Sequence, residues 1–185
     1  MNIHHFKKTF FLNNKRTDIN SDLSLRLSEF LREEKKLMAT KVGCNAGDCG
    51  SCTVLIDDSP YCSCLVNIGK VQNRRVETIE GIKNSELFLK LRDSFSYYGA
   101  AQCGICTPGM LIASIALLRK NNNPSTEEVQ EALSGVLCRC TGYRKIILAV
   151  SNINKISKNY YHQSNHFKEV GKPVERVDGI KKIEG

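Results

Sequence analysis

Nine cysteines occupy a chain of 185 residues, and three of them fall within nine positions, in CNAGDCGSC at residues 44–52. Thiols this close together can pair as disulfides, hold zinc, cycle as a redox dithiol or ligate an iron–sulfur cluster. Spacing sorts eight of the nine into two groups. Cys44, Cys49, Cys52 and Cys64 give C-x4-C-x2-C-x11-C. Cys103, Cys106, Cys138 and Cys140 give C-x2-C-x31-C-x1-C.

The first spacing is that of a plant-type [2Fe–2S] site. Three thiolates must converge on a small inorganic core from one loop, so the loop must wrap tightly. Gly43, Gly47 and Gly50 are expected to supply positive φ angles and close backbone approach. Their amides are placed to hydrogen-bond the cluster sulfurs. Zinc is a weaker reading, because two CxxC pairs that bind it typically lie about 15–20 residues apart. Here 50 residues separate Cys52 from Cys103. A Rieske centre needs two histidines, and His4, His5, His162 and His166 all lie far from the cysteine loops. A thioredoxin-like reading of CGSC or CGIC leaves the other cysteines unexplained. For the second group, spacing places two pairs at helix starts or ends, where amides favour negative charge. It does not separate zinc from iron–sulfur.

The elements around these loops change character near residue 80. In KKTFFLNNKRTDI, an Asn-Asn-Lys turn between two β-rich runs predicts a hairpin. SLRLSEFLREE (24–34) places Leu25, Leu27, Phe30 and Leu31 for one short amphipathic helix. TVLID (53–57) reads as a strand ending in the turn DDSP, and RVETIEG (75–81) closes this part. From about 84 to 155 the period is helical. Leu87, Leu91 and Phe95 recur at four-residue spacing up to Gly99, and Pro108 opens a helix that ends with Arg119 and Lys120. Ser125 and Glu128 form a capping box, and TGYRKIILAVSNI supplies a fourth helix. These helices with short loops predict a small bundle. Residues 156–185 are polar without a long periodic stretch and read as a linker or tail.

Composition limits the function classes. With 41% hydrophobic residues the chain can build a core without disulfides. The opening MNIHHFKKTFFLNN lacks an apolar stretch followed by small residues, so no secretory signal is expected. The longest apolar run, MLIASIALL (110–118), is too short to span a bilayer. The expectation is a cytoplasmic protein with no membrane partner, in a compartment where clustered thiols stay reduced and bind metal. The net charge of +8 raises nucleic acid as a partner, but the basic residues are scattered and there is no Trp to stack on bases. A solvated basic surface, or one facing an acidic partner subunit, is expected instead.

Three segments, GCNAGDCGSCTVLID, AAQCGICTPGM and LSGVLCRCTGYRKI, occur in this order. Together they resemble the iron–sulfur subunit of the molybdenum hydroxylases, the family of xanthine dehydrogenases, aldehyde oxidoreductases and carbon monoxide dehydrogenases. The likeness covers about residues 5–155 and rests on three independent motifs. It implies an α+β protein: a β-grasp, plant-type ferredoxin domain over 1–80, then a four-helix-bundle [2Fe–2S]-binding domain over 84–155. By the same likeness Cys44, Cys49, Cys52 and Cys64 bind one cluster. Cys103, Cys106, Cys138 and Cys140 bind the second, nearer the molybdenum cofactor. Gln102 and Cys140 match positions that touch the pterin of that cofactor. Cys62, in YCSC, is left over and is an alternative ligand to Cys64; the x11 spacing and SCL (63–65) match the family at Cys64, so Cys62 is expected to be an incidental strand thiol. Val136 stands where the family often has Asn.

The tail VGKPVERVDGIKKIEG (170–185) resembles the opening of the molybdenum-binding subunit, with Gly171, Arg176, Asp178 and Gly179 in register. The resemblance implies electron transfer without catalysis. Electrons from a molybdenum centre on a large subunit or domain would leave through the two clusters to FAD, on a medium subunit or domain, or to another acceptor. The chain itself carries no molybdenum active-site base and no flavin motif. Rigid contact between the domains is expected through TIEGIKNSE (78–86), because electron transfer depends steeply on distance. Two other classes compete: a free-standing two-cluster carrier, and a zinc-stabilised binding module, which would be colourless. Neither the substrate nor the final electron acceptor is legible.

Overall fold

The computed structural model describes residues 8–156 and 176–185. Strands β1 (Thr9–Leu12) and β2 (Lys15–Asp18) form the expected hairpin. Its two-residue turn holds Asn13 and Asn14 at φ 50° and 64°, the left-handed geometry that matches strand twist and that Asn tolerates. The same device recurs at Asp57 and Asp58, which join β3 (Thr53–Ile56) to β4 (Ser59–Cys62). The turn read as DDSP is thus only two residues long, since Ser59 and Pro60 already pair in β4. β5 (Arg75–Glu77) runs parallel to β1 and antiparallel to β3, giving a mixed sheet in the order β2-β1-β5-β3-β4.

The expected helix over 24–34 is shorter and wider than its periodicity suggests. One α-turn, α1 (Leu27–Glu29), opens directly into a π-turn over Phe30–Glu34. Both Phe30 and Leu31 point inward from it and are fully buried, with Phe10, Val54, Ile56 and Val76 among the residues that complete the first core.

The helical half begins in the connector. α2 (Ile79–Ile82) buries Ile79 and Ile82 in the second core, so the link between the halves is packed rather than free. α3 (Glu86–Tyr98) starts at a Ser85 cap that accepts from Phe88 N and stops at Gly99, φ 60°. α4 (Thr107–Lys120) has Pro108 in its first turn and is buried along most of its length. α5 (Thr126–Leu133) carries the full capping box of Ser125 and Glu128, and α6 (Arg144–Ser151) follows. The architecture is α+β. The cores meet at β3, where Val54 and Ile56 face the first and Leu55 the second. Arg119, at the end of α4, ties the contact down with ion pairs to Glu77 at 2.6 Å and Asp58 at 2.9 Å.

Beyond the second core the sequence gives no periodic signal, yet residues 179–184 form a helix, α7 (Gly179–Glu184). A single apolar anchor, Ile183, is too little to show as a pattern, although it is 1% exposed. Gly171 and most of the expected linker lie outside the described residues. Among the described residues, no helix is long and apolar enough to cross a membrane.

Candidate iron–sulfur sites

The loop between α1 and β3 folds the first four thiols together. Gly47 and Gly50 have φ of 88° and 68°, as the tight wrap requires. Gly43 does not share that geometry. Its reason is space, since a β-carbon there would lie 2.9 Å from Cys49 Sγ. The loop amides turn toward sulfur: Ala46 N and Cys49 N donate to Cys44 Sγ at 3.3 and 3.4 Å, and Gly47 N donates to Cys64. Those amides bring the exposed Cys44 thiol down to about 6. Burial does the opposite to Cys64, pushed up to about 12 with Cys52 beside it.

The second group forms where α4 begins and where the 137–143 loop enters α6. Cys106 is the N-cap of α4. Its expected activation by the helix end is outweighed: burial first, then Cys138, pushes the thiol up to about 12. At Cys138 burial also acts upward, but the hydroxyl and amide of Thr141 win and the value falls. Cys138 N donates to the Tyr143 hydroxyl at 3.1 Å, which fixes the loop. Gln102 Nε2 donates to Cys140 O at 3.2 Å, so the two residues matched to the pterin stand together on an exposed face.

The thiols of each group lie within reach of one another, and Cys106 is close to Cys103 and Cys140 as well as to Cys138. Cys44 reaches Cys49 and Cys52 reaches Cys64; Cys103 reaches Cys140 and Cys106 reaches Cys138. Among the described residues, no three His, Cys, Asp or Glu side chains are placed to share a single metal ion. A two-iron core is held by four thiolates, so the number and type of donors in each group fit a [2Fe–2S] cluster. The buried thiols gain a reason to ionise only from such a cation-rich core. None of the nine cysteines is in a disulfide.

Sequence reasoning understated Cys62. It reaches Cys52, and its Sγ lies 3.7 Å from Gly47 O, so it stands directly beside the first group. Its position two residues before Cys64 on β4 was the available signal. The two loops also touch one another. A β-carbon on Gly109 would collide with Gly50 O, and one on Gly50 would collide with Gly135 O. Val136, the departure from the family pattern, is buried at this contact.

A family described as "2Fe-2S iron-sulfur cluster binding domain" matches residues 10–83, and one described as "[2Fe-2S] binding domain" matches 78–151. The nicotinate dehydrogenase small FeS subunit of Eubacterium barkeri is 42% identical over 139 residues, covering 75% of this chain and 88% of its own length. The nicotine 6-hydroxylase small subunit of Paenarthrobacter nicotinovorans is 41% identical over 139 residues, with 75% and 84% covered. Quinoline 2-oxidoreductase from Pseudomonas putida 86 superposes with a TM-score of 0.74 at 39% identity, over 80% of this chain and 96% of that one. An aldehyde oxidoreductase from Desulfovibrio desulfuricans ATCC 27774 gives 0.83 at 31% identity over 96% of this chain, which spans only 21% of that longer chain.

Fold and thiols together define a protein with two [2Fe–2S]-binding units, one on a mixed sheet and one among helices. The chain belongs to the family of iron–sulfur subunits of the molybdenum hydroxylases.

Proposed function

We propose that this chain is the electron-transfer part of a molybdenum hydroxylase-type oxidoreductase, without a catalytic centre of its own. In this reading it works in the cytoplasm between a molybdenum-pterin large subunit or domain and an FAD-binding medium subunit or another acceptor. Residues 1–80 are a β-grasp ferredoxin-type domain, 84–155 a four-helix-bundle domain, and 156–185 a linker or tail that resembles the start of a molybdenum-binding subunit. Cys44, Cys49, Cys52 and Cys64 hold one cluster, and Cys103, Cys106, Cys138 and Cys140 the other. When bound, the clusters supply one-electron storage at two points. The protein's own residues fix where those points are and what surrounds them.

The observation that carries the reading is that both thiol groups sit at one seam and each keeps an open side. Cys44 is exposed in a loop that also exposes Val42, at 41%, and that lies against Leu65, 64% exposed, at Gly47. Cys103 and Cys140 are exposed beside Ile105, with Gln102 at hand for the pterin. Between the open sides the loops meet through backbone contacts, so the route runs in at Cys140 and out at Cys44.

The test is the metal and cofactor content of the native complex, isolated through this chain, with the mass of each polypeptide. Molybdenum with four irons per chain is the expected result. Iron without molybdenum or a large partner would make the chain a free-standing two-cluster carrier. A colourless zinc protein would refute both.

A further inference from the structure

The backbone that leads into Cys103 is held from outside its own unit. Arg176 Nη1 donates to Ala101 O at 3.0 Å and to Gln102 O at 3.3 Å. The rest of the guanidinium is fixed by Asp178, at 3.1 Å to Nε and 2.9 Å to Nη2. Asp178 in turn pairs with Lys182 at 2.7 Å, one helical turn on. The Lys182 stem lies against Gly104, whose φ is 91°. Ile183 plugs into the helical core, and Glu184 pairs with Arg92 at 3.4 Å. Gly185 lies on Ala39, on the other side of the seam.

We infer that residues 176–185 are a working wall of the second cluster site, in which Arg176 positions the Cys103 loop and supplies the positive charge that sets the potential there. The inference rests on the two-cluster reading above. Arg176, Asp178 and Lys182 together carry one net positive charge next to the 101–104 backbone. A carbonyl that accepts from a guanidinium leaves its peptide more polarised toward the following residue, here Cys103. Local charge and hydrogen bonding set cluster potentials, and positive charge favours the more negative, reduced state. The segment's other contacts make this more than a passive path to a further domain. Ile183 anchors it by burial, the ion pairs fix its register, and Arg176 Nη1 meets two consecutive carbonyls while Asp178 holds the other two guanidinium nitrogens.

The experiment is a redox titration of the cluster-loaded full chain, followed by electron paramagnetic resonance. The Cys49→Ser background, which keeps only the helical-unit cluster, assigns the signals. In Arg176→Ala the helical-unit cluster is expected to shift to a more negative potential while the sheet-unit cluster keeps its own. Arg176→Lys, with the charge but not the fork, should fall between. Ile183→Asp should move the same cluster in the same direction by unseating the segment. Arg176 is 44% exposed at its side chain, so Arg176→Ala decides the matter even if Ile183→Asp fails to fold. An unmoved helical-unit cluster in Arg176→Ala, or an equal shift of both clusters, overturns the inference. A wild-type chain that never holds two clusters refutes the underlying reading instead, before any variant is compared.

Discussion

The carbonyl oxygen of Cys49 accepts a hydrogen bond from the amide of Leu137 at 2.9 Å. Leu137 immediately precedes Cys138, so one backbone hydrogen bond joins a thiol residue of the first group to the neighbour of a thiol residue of the second. The bond uses main-chain atoms on both sides. Side-chain substitution at Cys49 therefore tests the two sites separately.

Cys49→Ser should remove the sheet-unit cluster and leave the other, because the Cys49 carbonyl and its bond to Leu137 remain. Iron should fall by half, and electron exit should stop while the helical-unit cluster can still be reduced. Iron analysis and spectroscopy check this. Loss of all iron would mean that the sites do not assemble independently.

Cys62→Ser should keep both clusters. Its thiol touches Gly47 O and Cys52, and a hydroxyl can make the bond to the carbonyl. Four irons per chain with unchanged spectra are expected. Loss of two irons would make Cys62 a ligand in place of Cys64.

Arg119→Ala should loosen the attachment of α4 to the sheet. The guanidinium pairs with Glu77, 18% exposed, and with the more open Asp58. Partly solvated pairs of this kind are worth about 0.2–1 kcal/mol each, less in high salt. The variant's thermal midpoint should drop at low ionic strength and approach the wild-type value in strong salt. An equal loss at both would point to packing of the arginine stem.

Gly109→Ala and Gly135→Ala should behave oppositely. A β-carbon at Gly109 meets the Gly50 carbonyl, whereas one at Gly135 meets nothing within 4 Å. Overpacking of the first kind costs roughly 1–3 kcal/mol, and Gly135→Ala should be close to neutral. Thermal midpoints with iron content decide it. Comparable losses in both would show that Gly135 needs its own freedom.

Local chemistry made much of this visible in the sequence. The C-x4-C-x2-C spacing, the Asn13-Asn14 turn, the Ser125–Glu128 capping box and Pro108 each act within a few residues, so a linear reading finds them. Residues brought together by folding did not show. The pairing of Cys103 with Cys140 spans 37 positions, and nothing near Gly109 announces a carbonyl from residue 50. Gly43 was misread for a related reason, because its φ is ordinary and its constraint is a sulfur atom six residues away. Ile183 had no periodic companions to mark it.

β3 has one consequence for how the chain comes apart. Val54 and Ile56 close one core while Leu55 closes the other, on a strand of only four residues. Neither half can shed this strand and stay intact. Heat or denaturant is expected to find no intermediate in which one unit has melted and its neighbour is still sealed, because opening either core wets the same peptide. Two family models match the two units separately, yet the shared strand predicts a single cooperative collapse.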